Sequence, residues 1–223
     1  MNLIPVLYEN NDILVINKKS GMSVQGGEKI AHPLDEELSK QVGYKVHLVH
    51  RLDRDTSGLM VVAKSGAAAA RWIQLIAGKQ VQKEYEAICI GIPKGGASGT
   101  ITDSISKAGV EKPAVTHYRV IKTFEVQSDS EKLTLSLIHL KLGTGRMHQI
   151  RIHLAKNGCP VAGDDQHGNF KLNKMLRKIT GARLLMLASV RLSLPADGTV
   201  KTFEIELPPH MQNLLEKTGA SGF

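Results

Sequence analysis

His50-Arg51-Leu52-Asp53-Arg54-Asp55-Thr56-Ser57-Gly58, followed without a break by Leu59-Met60-Val61-Val62-Ala63, is the stretch on which the reading of this chain turns. The apolar run predicts a buried strand. The residues before it set two carboxylates, two guanidiniums, an imidazole and two hydroxyls at that strand's mouth. A nearby cation favours the charged form of a carboxylate, so Asp53 is expected to stay ionised beside Arg51 and Arg54. The ordinary alternative is a charged turn in which Asp and Arg pair and Thr56-Ser57-Gly58 caps the bend.

Working outward, Ile13-Leu14-Val15-Ile16 predicts a strand that ends in the turn material Lys18-Lys19-Ser20-Gly21. A short helix is expected from Pro33, with Asp35, Glu36 and Glu37 at its positive end and Gly43 past its last turn. Ser65 can cap an Ala-rich helix that runs through Ala77 and stops at Gly78. In that helix Trp72, Leu75 and Ile76 recur at helical spacing, which fits core packing. Further strands are expected over Glu84–Ile90 and Thr116–Phe124, joined by a Gly-rich connection from Gly91 to Gly109. Leu133, Leu135 and Leu137 alternate as a half-buried strand does, and Thr202–Leu207 repeats the pattern. Helices are few and regular helical crossovers are lacking. The fold class is therefore α+β around a largely antiparallel or mixed sheet, not a doubly wound sheet.

A chain of 223 residues can bury a substantial core and is expected to form one domain, two lobes being the alternative. Lysine and arginine outnumber the acids by 29 to 21, a net charge of +8 that suits a polyanionic partner such as nucleic acid. Cys89 and Cys159 form no Cys-x-x-Cys pair, which argues against a zinc site or a disulfide framework and for a reducing cytoplasm. The first eighteen residues mix charges with apolar positions, and nowhere do eighteen apolar residues run together. A soluble, unprocessed protein without a membrane anchor is expected.

A second dense cluster runs from Leu142-Gly143-Thr144-Gly145-Arg146-Met147-His148-Gln149-Ile150-Arg151 to His153-Leu154-Ala155, with Asn157-Gly158 as a helix stop. If Met147–Lys156 is helical, His148 and Arg151 share a face at i,i+3. His148 and His153, at i,i+5, would point about 140° apart on a helix of 3.6 residues per turn, a poor arrangement for one metal ion. Arg151 could instead reach a carboxylate elsewhere in the fold, the alternative being an exposed basic face.

His50–Gly58, Thr144–Arg151 and Gly163-Asp164-Asp165 together resemble the RluA-type pseudouridine synthase family. Asn17-Lys18 with Gly21, Lys83-Glu84-Tyr85, and Lys112-Pro113-Ala114 with Thr116 and Tyr118 resemble other elements of the family in the same order. The resemblance extends through almost the whole chain. It implies a single catalytic domain with a bent sheet flanked by helices and a central RNA-binding cleft, and an enzyme that isomerises uridine within RNA. The bond from N1 to the sugar breaks, the base turns, and it rejoins through C5. No cofactor and no metal is implied.

By that resemblance Asp53 is the catalytic carboxylate, attacking the sugar carbon directly or removing a sugar proton to give a glycal. Arg151 resembles the arginine that pairs with the aspartate, and Tyr85 the tyrosine that lies against the target base. Arg51 matches the arginine that fills the space left when the uridine is flipped out of its helix. Arg54 could pair with Asp55 or with RNA phosphate, and Arg146 and His148 join the residues expected to contact RNA. Lys171, Lys174, Arg177 and Lys178 recur at spacings of 3 or 4, a helical stripe suited to phosphates, a merely solvated face being the alternative.

The family pattern is broken at Lys19, where proline is usual, at His167, where a tyrosine is frequent, and at Leu187, where a histidine is frequent. With the first family element already at Asn17, no amino-terminal S4 RNA-binding module is expected. The expected substrate is structured RNA, large-subunit ribosomal RNA first and transfer RNA second, bound by a monomer. Two other readings stand beside this one. Asp53 and Asp55 lie on one face if the segment is extended, as in a glycosidase that would release a free base. A non-catalytic RNA-binding or ribosome-assembly protein could also have kept the fold.

Overall fold

The structure is a computed structural model and describes residues 3–26, 31–107, 109–129 and 131–219. The fold is α+β, with the strands in a mixed sheet, and contains five helices and no closed barrel among these residues. The chain divides into two compact units, the first running through Lys83 and resuming over Ser189–Glu206, the second comprising Glu84–Ala188 and the tail from Leu207.

In the first unit, β1 (Val6–Glu9), β2 (Ile13–Lys18) and β4 (Ser57–Ala63) pair antiparallel, with β2 and β4 in register from Ile13 opposite Ala63 to Lys18 opposite Gly58. The short β3 (His47–Leu48) also pairs with β4. Every residue of β4 is buried, as its unbroken apolar run predicts for a strand covered on both faces. The strand β11 (Leu187–Ala196) enters this unit at Ser189 and turns back antiparallel as β12 (Thr199–Glu204).

The two helices expected in this part of the chain form where local signals place them. Helix α1 spans Leu34–Val42 and ends at Gly43 in the left-handed conformation, φ 80°. Helix α2 spans Gly66–Ala77, and the Ser65 hydroxyl accepts from the Ala68 amide at 3.2 Å, satisfying one orphan donor of the first turn. Its Trp72, 3% exposed, packs with Ile13, Val15, Leu59, Val61 and Leu194. Burying an indole in such a cluster is worth about 3–5 kcal/mol against alanine.

The second unit is built on β5 (Gln82–Ile90, from Glu84 onward), β10 (Lys132–Leu142) and β9 (Thr116–Gln127), an antiparallel set extended by β6 (Ser98–Ile101) at its edge. The connection read as a Gly-rich loop from Gly91 holds more order than expected. Besides β6, it contains a two-stranded ribbon of β7 (Ile105–Lys107) and β8 (Val110–Lys112). Helices α3 (Gln149–Lys156), α4 (Phe170–Thr180) and α5 (Pro209–Lys217) complete the unit. Cys89 and Cys159 are both buried here as thiols, and burial followed by the Cys159 neighbour pushes the Cys89 thiol well above its usual range. No helix among the described residues is long and apolar enough to cross a membrane.

Candidate active site

The loop between β3 and β4 carries Asp53, and its backbone is fixed at three consecutive residues. The Asp53 carbonyl accepts from the Thr56 amide at 3.2 Å, the Arg54 carbonyl from Lys18 Nζ at 2.8 Å, and the Asp55 carbonyl from Ser20 Oγ at 2.8 Å. Lys18 closes β2 and is fully buried, its ammonium also donating to the carbonyls of Lys19 at 3.0 Å and Met22 at 2.9 Å. Burial lowers its pKa to about 8 against the opposing pull of Asp55 and Asp53, whose negative charges favour the ammonium. Lys18 therefore ties the opening Asn17-Lys18 element to the Asp53 loop.

The other motif residues brace the same loop. Gly58 has φ 110°, and a Cβ there would lie 2.1 Å from the Ser189 carbonyl oxygen, so no side chain fits. His50 Nε2 accepts from the Val61 amide at 3.0 Å. Burial, and then the Lys83 charge, push its pKa far below the usual imidazole value, which leaves it neutral. Leu52, Thr56 and Ser57 are buried, Asp53 is half-buried, and Arg51, Arg54 and Asp55 are exposed. Residues 53–56 form a turn, which corrects the extended geometry behind the paired-carboxylate reading. Asp55 instead lies 3.5 Å from Arg54 Nε at the surface.

The remaining predicted residues belong to the second unit. Tyr85 sits in β5 opposite Leu140, 6% exposed. Arg151 is 7% exposed in α3, and its Nε and Nη2 donate to Asp164 Oδ2 at 2.8 Å and Oδ1 at 2.7 Å. Nη2 also donates to Gln166 Oε1 at 3.2 Å. This is a buried, bidentate pair, not a surface salt bridge. Burial raises the Asp164 pKa, but the Arg151 hydrogen bond and the amides of His167 and Gln166 outweigh it and hold the carboxyl below its usual range.

Asp164 was legible as part of Gly163-Asp164-Asp165, but its function as the seat of Arg151 was not. Gln149 was missed as well. It is 2% exposed at the start of α3, accepting from Thr144 Oγ1 at 2.7 Å and the Arg146 amide at 3.0 Å. It donates to the Val115 carbonyl at 2.9 Å and Thr116 Oγ1 at 3.0 Å. These bonds knot the Thr144–Arg146 turn to β9.

The helix starts at Gln149, not at Met147, because His148 takes the left-handed conformation, φ 54°, at the cap position. His148 and Arg151 thus do not share a helical face, yet both reach the 164–167 turn, His148 Nδ1 lying 2.8 Å from His167 Nε2. His153 is fully buried between Thr116 Oγ1 and the Asp103 carbonyl, each at 2.9 Å, a structural role. Arg146 is exposed and donates from Nε to the Pro113 carbonyl at 3.2 Å. Lys171, Lys174 and Arg177 are exposed along α4, and Lys178 pairs with Glu131 at 3.0 Å.

The first unit thus holds a carboxylate on a loop clamped through its backbone, and the second holds a buried guanidinium seated on a second carboxylate and an acid-free basic helix of the kind that suits a polyanion. The model of the RNA pseudouridylate synthase family matches residues 12–156, and the chain belongs to that family. Over 238 residues it is 32% identical to ribosomal large subunit pseudouridine synthase D of Salmonella typhimurium, covering 95% of this chain and 69% of that one. It is 36% identical over 180 residues to ribosomal large subunit pseudouridine synthase C of Rickettsia felis, covering 74% of this chain and 56% of that one. Among solved structures, human RNA pseudouridylate synthase domain containing 4 is similar at a TM-score of 0.72 and 26% identity, covering 96% of this chain and 92% of the other. The chain is an RNA pseudouridylate synthase, an isomerase.

Proposed function

We infer that the chain converts uridine to pseudouridine in large-subunit ribosomal RNA, with Asp53 as the catalytic carboxylate. The observation that carries this is the triple backbone clamp on residues 53–55, which holds the loop while its aspartate stays half-buried. Such a loop presents a carboxylate in a fixed direction, and fixed geometry is where much of a barrier reduction originates. The substrate follows from the relatives, two of which are named for the ribosomal large subunit.

In this reading the uridine is extruded from its stem and Arg51 takes the vacated place, which compensates for lost stacking. Tyr85 lies against the base as it turns. Asp53 attacks C1′ or removes the C2′ proton, the N1–C1′ bond breaks, and the C5–C1′ bond forms. C5 then loses its proton while N1 gains one, so the product is an isomer of the substrate. Arg151 stands at the position of the family arginine that pairs with the catalytic aspartate, and its buried seat on Asp164 fixes the direction of its guanidinium.

Because the C5 hydrogen leaves, tritium placed at C5 of uridine reports the reaction. A large-subunit transcript so labelled should release tritium to water with the wild-type enzyme and none above background with Asp53→Asn. Release from a transfer RNA transcript but not from ribosomal RNA would move the substrate assignment. No release from either would overturn it.

A further inference from the structure

Phe170 is 80% exposed, the most exposed large hydrophobic side chain among the described residues. It opens α4, a helix of sequence FKLNKMLRKIT without an acidic residue. At i, i+4 and i+7, Phe170, Lys174 and Arg177 lie on one face, with Lys171 beside them. The opposite side of the helix is anchored by Leu176, 1% exposed.

The helix is also tied to the turn that seats Arg151. Asn173 Oδ1 accepts from the Gly163 amide at 3.0 Å, and its Nδ2 donates to the Asp164 carbonyl at 2.9 Å. Asn169 caps the helix through the Leu172 amide at 3.2 Å. An aromatic ring held on a fixed element, exposed and followed along its helix face by cations, does not match an apolar protein partner. It matches a strand that offers a base face and phosphates together.

We propose that Phe170, Lys174 and Arg177 form a single-strand platform on which an unpaired base of the RNA substrate stacks against Phe170 while its phosphates meet the cations. The proposal rests on RNA as the substrate and adds a contact remote in sequence from Asp53. The ring supplies sequence-tolerant stacking and the cations supply salt-dependent attraction, so the platform anchors an unpaired segment without reading its sequence.

The test uses Phe170→Trp in the full chain, since the sole native tryptophan, Trp72, is buried and gives a constant background. The probes are a fluorescein-labelled twelve-residue oligoadenylate and the same strand with abasic spacers, with binding followed by anisotropy. Emission of the introduced tryptophan should be quenched on binding oligoadenylate and not on binding the abasic strand. Phe170→Ala and Phe170→Leu should each weaken oligoadenylate binding roughly ten-fold and leave the abasic strand unaffected. Neutralising Lys171, Lys174 and Arg177 should weaken both strands.

Saturable binding with unchanged emission would overturn the platform while leaving RNA as substrate. Quenching that depends on protein concentration without RNA would overturn it in favour of a second copy of the chain. Failure of either strand to bind at low salt would overturn the platform and the phosphate stripe together, whereas tritium release from ribosomal RNA would still stand or fall on its own.

Discussion

At the scale of single residues, Lys18 shows how a buried charge serves a loop. Its three N–H groups meet three carbonyls, so Lys18→Met leaves the Lys19, Met22 and Arg54 oxygens short of a donor. The loss should amount to about 2–4 kcal/mol of stability in urea unfolding, with turnover down at least ten-fold as the Asp53 loop loosens. With a pKa of about 8, the neutral amine above that pH keeps two donors for three acceptors, so turnover should fall as pH rises through about 8. Lys83, which burial also lowers to about 8, is the other group in this range. An alkaline limb undiminished in Lys18→Met would assign it to Lys83 and contradict the clamp. Stability runs the other way. The folded pKa lies below the ordinary 10.5, so the unfolded chain holds the proton more tightly. The burial penalty is present below about 8 and fades as pH rises toward 10.5. Asp164→Ala should cost about 3–5 kcal/mol in the same unfolding assay, because it leaves the Arg151 guanidinium buried without its bidentate partner. The Asp53 loop was legible as a candidate because carboxylates and guanidiniums crowd it. The seats of Lys18 and Arg151 were not, since which carbonyls or carboxylate a buried cation meets depends on how the chain folds back on itself, whether the partner is one residue away, as Lys19 is, or 36, as Arg54 is.

At the scale of elements, boundaries set by local chemistry were readable. Ser65 and Gly78 bound α2, and Pro33 and Gly43 bound α1, as capping and backbone preferences require. Boundaries set by distant partners were not. Gln149 opens α3 because Val115, just before β9, and Thr116, its first residue, receive its side-chain amide and His148 adopts a left-handed backbone, neither of which a helical period reveals. The short strands β6 to β8 escaped for a related reason, being too brief to show a period and surrounded by glycine. For α4, the spacing of its cations was visible, and the helix presents all four of them to solvent, with Lys178 paired to Glu131. Neutralising Lys171, Lys174 and Arg177 together should weaken binding of ribosomal RNA and lower the slope of log K against log salt by about 2, a measurement made by titrating salt at fixed protein. A slope equal to that of the wild type would make the stripe a solvated face only.

At the scale of the whole molecule, the α+β class followed from alternating strands without regular crossovers, and the family followed from ordered motifs spread from Asn17 to Asp165. The division into two compact units was one of two organisations the length allowed, and nothing in the linear pattern marks it. The chain crosses between them three times, twice inside the continuous strands β5 and β11 and once at Glu206–Leu207, between β12 and α5. The predicted residues are shared out accordingly, Arg51, Asp53 and Arg54 in the first unit and the rest in the second. The excess of 29 basic over 21 acidic residues is consistent with a polyanionic substrate. If Asp53 isomerises uridine in ribosomal RNA, pseudouridine mapped across total RNA will differ between cells that carry the wild-type chain and cells that carry Asp53→Asn, both lacking any redundant enzyme. One or a few large-subunit sites should lose pseudouridine in the variant, each remaining uridine with its base retained. An identical map in both strains, or abasic positions in the wild type, would contradict that assignment.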